Sequence, residues 1–156
     1  MRLKFYNGQY ITMNTKITVK KIAEVSDFFC THGTDPLVCL LFGGDRGTVC
    51  DEVVMLQSGR SILALASISP NGETGKGPGI VGLYVVPKYR KCGYGKHVME
   101  ATVRRCIERG FSKVRIDTLS KGAKYIVETL PNELKSVLDV HHSGEVLDMF
   151  TGLAPK

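Results

Sequence analysis

The sequence predicts a mixed α/β fold in which an antiparallel run of strands precedes a strand–helix–strand crossover. Residues 52–86 contain three stretches rich in β-branched and aliphatic residues, and turn-forming residues separate them. Residues 96–109 instead repeat apolar side chains at helical spacing. Alternation returns at Val114 and Ile116, which indicates one more strand after the helix. These three observations together predict one mixed sheet with helices packed against it.

The antiparallel part is predicted to contain three strands in succession. They are expected over residues 52–57, 61–69 and 79–86. The Ser-Gly-Arg sequence at residues 58–60 is typical of a hairpin turn, and residues 70–78 form a polar, glycine-rich loop. Strands that follow one another through short connections of this kind pair in antiparallel fashion.

The crossover is predicted from the helix and from the strand after it. Gly110 is a good stop for a helix over residues 96–109. Because a strand–helix–strand unit joins parallel neighbours, the strand at Val114 is expected to lie parallel to the strand at 79–86. The apolar face of the helix consists of Met99, Val103, Cys106 and Ile107.

The N-terminal part is predicted less regularly. Residues 1–13 alternate weakly and are interpreted as an edge strand. Residues 15–32 carry an apolar stripe that includes Ile17, Ile22 and Val25, and this spacing predicts a helix.

The C-terminal part is predicted to hold two helices and a hairpin. Ser120 is a suitable N-cap for a helix over residues 121–130. Pro131 ends that helix and can start a second, short one that runs to residue 138. A Ser-Gly turn within residues 139–150 predicts a terminal hairpin. No repeat or linker divides the chain, so residues 1–156 are expected to form one domain.

The composition is that of an ordinary globular protein. Of the 156 residues, 43% are hydrophobic and 23% are charged. No apolar run is long enough to span a bilayer, and the basic N-terminus lacks a signal-peptide core, so we expect a cytoplasmic protein without a membrane partner. The net charge of +6 is compatible with an anionic cofactor, an acidic partner or nucleic acid, and equally with a solvated surface that carries an excess of lysine. The five cysteines include no Cys-x-x-Cys pair, so neither a disulfide framework nor a metal site is expected.

The segment from Leu83 to Lys96 has the features of an anion site. A short strand run reaches Pro87, a basic turn with two glycines follows, and a helix then begins. This order directs a helix N-terminus and several backbone N–H groups to one point, where a phosphate is favoured. Glycine in the turn lets the backbone approach a ligand closely. The segment therefore predicts a site for a phosphorylated cofactor.

Two common phosphate motifs do not fit this segment. A P-loop would need glycine where Arg90 stands and Ser or Thr where His97 stands. The dinucleotide fingerprint needs a third glycine, but Val98 occupies that position.

The pattern Arg90-x-x-Gly93-x-Gly95, placed between a strand with Pro87 and an amphipathic helix, resembles motif A of the GNAT superfamily of N-acetyltransferases. The resemblance is close over residues 80–110, and the order of elements agrees over most of the chain. It implies a GNAT-like acyltransferase fold whose strands spread apart around Val85 and Val86, and acetyl-CoA as the co-substrate.

The resemblance also implies which residues hold acetyl-CoA. Backbone groups of the strand would hold the pantetheine arm and polarise the thioester carbonyl, with the N–H of Val85 as the oxyanion donor. Backbone N–H groups of residues 91–96 would hold the pyrophosphate. The cofactor-binding candidates are Leu83, Tyr84, Val85, Arg90, Lys91, Cys92, Gly93, Tyr94, Gly95 and Lys96.

The catalytic acid and base depart from the family pattern. Many relatives carry Asn-x-x-Ala-x-x-x-Tyr at the next helix, where this chain has Ser120, Ala123 and Val127. Tyr125 is the catalytic candidate, although it lies about 200° around the helix from the usual tyrosine position. The strand over residues 79–86 holds no carboxylate that could serve as the base. The carboxylates on neighbouring elements, Asp51, Glu52 and Glu73, are interpreted mainly as solvated charges.

The leading hypothesis is therefore an acetyl-CoA-dependent N-acetyltransferase that acts directly on a primary amine. The acceptor is left open between a small molecule and an amine linked to protein or tRNA, and a homodimer is also left open. The alternatives are a non-catalytic acyl-CoA-binding module on the same fold and an RNA-directed acetyltransferase.

Overall fold

The computed structural model describes residues 2–6, 9–25, 50–72, 75–118 and 120–142. Strands β1 (Arg2–Tyr6) and β2 (Gln9–Met13) pair in antiparallel fashion as a separate two-stranded sheet. The prediction of one edge strand over residues 1–13 was therefore wrong, because the segment contains two strands that pair with each other.

The centre of the fold is a six-stranded mixed sheet with the order β3-β4-β5-β6-β7-β8. The first four strands pair antiparallel, and β7 and β8 continue the sheet in parallel. This arrangement confirms the predicted mixed α/β fold and its crossover. The strands are β3 (Lys16–Lys21), β4 (Glu52–Ser58), β5 (Ser61–Ser69), β6 (Gly79–Val85), β7 (Val114–Thr118) and β8 (Leu138–His142).

Strand β3 corrects the helix that was predicted over residues 15–32. Ile17 pairs with Leu56 and Val19 with Val54 of β4, and a 3-10 helix over Ile22–Val25 follows. The segment contains consecutive β-branched residues, which fit a pleated surface once a neighbouring strand is present. Residues 26–32 of the predicted helix lie outside the described residues.

Among the described residues, the antiparallel part is followed by a 3-10 helix (Pro87–Tyr89) and three α-helices, which are α1 (Tyr94–Glu108), α2 (Lys121–Glu128) and α3 (Asn132–Lys135). Helix α1 packs on β4, β5 and β6. Ser120 caps α2 as predicted, since its Oγ accepts a hydrogen bond of 3.0 Å from the N–H of Ala123. None of the described helices is long and apolar enough to cross a membrane.

Two apolar clusters cover the two faces of the sheet. The larger one lies between the sheet and the helices, and it includes Val54, Leu56, Ala64, Ile68, Val98, Met99, Val103 and Leu134. The smaller one lies on the opposite face and consists of Val25, Val53, Met55, Leu65, Tyr84 and Val86. Strand β6 contributes to both clusters, so its position is fixed from both sides.

Strand β8 corrects the second C-terminal helix, which was expected to run to residue 138: α3 ends at Lys135, and Leu138 already belongs to the strand. Leu138–His142 pairs in parallel with β7 in continuous register, from Val114↔Leu138 to Thr118↔His142. The predicted turn and its second strand, at residues 143–150, lie outside the described residues.

Candidate functional site

Strands β6 and β7 separate soon after they begin to pair. Their register contains only Gly79↔Arg115 and Ile80↔Ile116, whereas β6 stays paired with β5 as far as Val85. The register between β5 and β6 shifts at this point, which is typical of a β-bulge, and a bulge bends the strand that carries it. The strands therefore spread apart after Ile80, five residues earlier than the position expected from the sequence.

A cavity of about 700 Å³ fills the opening between the two strands. The inner part of the cavity is apolar, and its mouth carries basic and aromatic side chains. The buried lining residues include Ile80, Met99, Ile116 and Val127, and the exposed ones include Lys91 and Tyr125.

The open edge of β6 presents backbone groups to this cavity. The N–H of Val86 donates to the carbonyl of Leu63 on β5 at 3.0 Å. Backbone groups of successive residues in a strand point to opposite edges, so the N–H groups of Leu83 and Val85 point away from β5 and toward the opening. The carbonyl of Val85 accepts a hydrogen bond of 2.8 Å from Nε of Arg90. The donors of this edge and the turn after it thus meet at one end of the cavity.

The turn between β6 and α1 contains two residues in the left-handed region. Lys91 has φ +62° and Gly93, the N-cap of α1, has φ +78°. The first helical hydrogen bond runs from the N–H of His97 to the carbonyl of Gly93. The N–H groups of Gly95 and Lys96 precede it, so the helix itself offers them no acceptor. This part of the chain has the donor arrangement of an anion site.

Nine of the ten cofactor-binding candidates line the cavity; Cys92 is the exception. The Cys92 thiol instead donates a weak hydrogen bond to the carbonyl of Arg90 at 3.5 Å. The guanidinium of Arg90 lies over the ring of Tyr84, 5.5 Å from its centroid, while it bonds to β6. The Arg90 side chain thus connects the turn to β6. These two contacts fix the position of Arg90 in the cavity wall.

Tyr125 and Val127 both line the cavity but differ in exposure. Val127 is 3% exposed and belongs to the main core, whereas Tyr125 is 67% exposed. The valine thus packs where the family pattern has its tyrosine, and the phenol of Tyr125 lies at the mouth.

The carboxylates of Asp51 and Glu52 are held in ion pairs with arginines, which corrects their interpretation as solvated charges, although the side chain of Asp51 stays 39% exposed. Arg109 forms a bidentate pair with Asp51 at 3.0 and 2.7 Å, and Arg105 forms another with Glu52 at 3.0 and 2.8 Å. The hydrogen bond from Arg109 lowers the pKa of Asp51, and the one from Arg105 lowers the pKa of Glu52. Neither residue lines the cavity, so neither is placed to act as its base. The third carboxylate, Glu73, lies outside the described residues.

Asp117 is a cavity residue that the sequence reasoning missed. It follows Ile116 on β7 and lines the opening. An alternating strand normally turns every second residue to solvent, so the sequence pattern gave Asp117 no special role. The signal that would have found it is its position in the strand that follows the crossover helix, across the opening from β6.

Comparison of the sequence with models of known protein families gives a match. The sequence model of the acetyltransferase (GNAT) family matches residues 26–124, which is more than half of the chain. A comparison with curated protein sequences gives no match.

Solved structures of acetyltransferases resemble the fold only distantly. An aminoglycoside acetyltransferase from an uncultured soil metagenomic sample, in complex with trehalose, is 18% identical, with a TM-score of 0.48 over 73% of this chain and 83% of that one. A ribosomal-protein-alanine N-acetyltransferase from Brucella melitensis biovar Abortus 2308 is 12% identical, with a TM-score of 0.47 over 91% of this chain and 92% of that one. The assignment therefore depends on the sequence model, which confirms the predicted family and its N-acetyltransferase class: the chain belongs to the acetyltransferase (GNAT) family.

Proposed function

We propose that the protein transfers an acetyl group from acetyl-CoA to a primary amine. The observation that supports this most directly is that the open edge of β6 and the N-terminus of α1 meet in one cavity. A co-substrate with a phosphate group at one end and an amide-containing arm at the other matches these two donor sets. A free amine acceptor would then reach the thioester through the opening between β6 and β7.

The turn before α1 suits the pyrophosphate of acetyl-CoA. Gly95 and Lys96 supply backbone N–H groups at the helix N-terminus, where the helix dipole favours an anion. The side chains of Lys91 and Lys96 also line the cavity and add positive charge. Cys92 does not line it, so its role in this proposal is limited to its backbone.

The edge of β6 suits the pantetheine arm and the thioester. An extended arm can pair with the outward groups of Leu83 and Val85 in the manner of an added strand. In this pose the N–H of Val85 donates to the thioester oxygen and stabilises the negative charge that develops there during attack. Tyr84 lies between these two residues but offers no group to the arm, because its backbone groups point to β5, like those of Val86, and its side chain packs in the core of the opposite face.

The transfer step needs few groups beyond these. The amine first loses a proton to solvent, and its nitrogen then attacks the thioester carbonyl carbon. The C–N bond forms, the C–S bond breaks, and coenzyme A leaves as a thiolate that takes up a proton. Tyr125, at the mouth of the cavity, is the proposed donor of that proton.

The first test is binding of acetyl-CoA followed by its turnover. Thermal unfolding with acetyl-CoA at about a hundred times its dissociation constant should give about 2.7 kcal/mol of stabilisation. The absence of any shift at millimolar acetyl-CoA would contradict the proposal.

A second candidate function is acyl-CoA binding without transfer. The buried Val127 at the usual tyrosine position favours it, because no phenol occupies the place where the family pattern has one. Release of free thiol with a panel of primary amines separates the two candidates. The proposed transferase releases thiol in an amine-dependent manner, and a binding module shows only the thermal shift.

A further inference from the structure

Asp117 is the one carboxylate among the described residues that line the cavity. We infer that Asp117 forms the subsite that binds the acceptor amine as its ammonium ion. This inference rests on the proposed function, because it places the acceptor in the same cavity as acetyl-CoA.

The position of Asp117 follows from the register of the two strands. The last pair between them is Ile80↔Ile116, and Asp117 is the next residue on β7. Its side chain therefore lies where β6 has begun to move away. Ile116 packs in the core with α1, so the alternation of the strand directs Asp117 to the other side of the sheet. The carboxylate thus lies on the cavity wall opposite β6 and on the other side of the sheet from α1.

Arg115 fixes the orientation of this carboxylate. Its Nη2 lies 3.1 Å from Oδ1 of Asp117, and its Nε lies 3.2 Å from Oδ2. Each carboxylate oxygen can accept more than one hydrogen bond, so both oxygens of Asp117 can still accept one from an ammonium group. The two side chains are 42% and 28% exposed, and an ion pair this accessible contributes little stability by itself.

The charges around the cavity make Asp117 selective for a cationic acceptor. Lys91 and Lys96 line the same cavity and favour the phosphates of the acyl donor. These lysines repel a cationic acceptor, and Asp117, on the other side of the sheet from α1, supplies the negative charge that attracts one. A protonated primary amine, with three donors on one nitrogen, is the acceptor class that such a site selects.

The decisive experiment uses coenzyme A derivatives that carry the amine on the sulfur. S-aminoethyl, S-aminopropyl and S-aminobutyl coenzyme A place an ammonium beyond the sulfur, and S-alkyl derivatives of equal length are their neutral counterparts. We expect the wild-type protein to bind the best aminoalkyl derivative about tenfold more tightly than its neutral counterpart, measured by calorimetry. In Asp117→Asn this preference should disappear while affinity for the neutral derivative stays unchanged.

The matched control is Asp139→Asn. Asp139 is an aspartate on the adjacent strand β8, pairs with His141 at 3.2 Å and does not line the cavity. This variant should keep the full preference. Asp117→Glu should also keep it, with the optimum moved to a shorter aminoalkyl chain, and this outcome shows that a charge and not merely a folded strand is required.

Each contrary result has a separate meaning. Equal binding of charged and neutral derivatives by the wild-type protein would overturn the inference but leave the proposed function standing. A preference that persists in Asp117→Asn would assign the ammonium to another group. Failure of every coenzyme A derivative to bind would overturn the proposed function itself.

Discussion

A Cβ atom at Gly95 would lie 3.1 Å from Cδ1 of Ile126, so α1 and α2 are in contact at the start of α1. The same Cβ would lie 3.3 Å from Cγ2 of Val85 on β6. Gly95 therefore does more than expose backbone N–H groups, since its lack of a side chain lets α1 pack between two walls of the cavity.

Gly95→Val should destabilise the protein and narrow the cavity. Overpacking of a well-packed core costs about 1–3 kcal/mol, and we expect a loss of this size in the free energy of unfolding. Denaturant titration measures it. Adding Ile126→Val removes the nearest methyl and should recover part of the loss, whereas Ile126→Val alone should only destabilise. No rescue in the double variant would contradict the contact.

Comparing Gly93→Ala with Gly110→Ala should distinguish the effect of backbone strain on stability from an effect on acetyl-CoA binding. Gly93 has φ +78° in the turn, and Gly110 has φ +85° after the far end of α1. Alanine in this region costs about 1–2 kcal/mol, so both Gly93→Ala and Gly110→Ala should lose similar stability. We expect only Gly93→Ala to weaken acetyl-CoA binding as well, measured by calorimetry. Equal affinities in the two variants would exclude the turn from the site.

The local elements near the site were predictable because their signals are local. The turn after Pro87, the glycine at position 93 and the cap at Ser120 depend on backbone preferences that are visible in a few residues. Strands β4, β5 and β6 could also be predicted, since turn residues separate them.

The features that were missed depend on distant partners. Strand β3 forms because β4 lies beside it, and the isolated stripe of Ile17, Ile22 and Val25 fits a helix equally well. The role of Asp117 depends on where β6 and β7 stop pairing, and the sequence of β7 alone does not predict that position. Asp51 and Glu52 are bound by arginines more than fifty residues away.

Acid should destabilise the protein through Asp51 and Glu52. Their folded pKa values lie below their ordinary values of 3.8 and 4.5, chiefly because of hydrogen bonds from Arg109 and Arg105. The paired carboxylates bind fewer protons in the folded state, so they stabilise it above the unfolded pKa values and lose this effect as the pH falls through the folded ones. We therefore expect the free energy of unfolding to decline below about pH 4.5.

Glu52→Gln tests this origin of the acid sensitivity. At neutral pH it should lower the free energy of unfolding by about 1 kcal/mol, because two arginines lose a charged acceptor. The difference from the wild-type protein should shrink as the pH falls below 4.5. Glu133→Gln, at an exposed pair with Arg104, is the control and should change stability little at any pH. A constant difference at all pH values would contradict the assignment.

Tyr125→Phe should lower turnover without affecting stability or binding. The side chain is 67% exposed, so loss of its hydroxyl leaves no buried group unpaired. If the phenol protonates the departing thiolate, its removal should reduce kcat by about a hundredfold, the lower end of the range for general acids. The dissociation constant of acetyl-CoA should stay unchanged, because the phenyl ring still lines the cavity mouth. A kcat equal to that of the wild-type protein across neutral and alkaline pH would show that the thiolate takes its proton from water, and Tyr125 would then have no part in the chemistry.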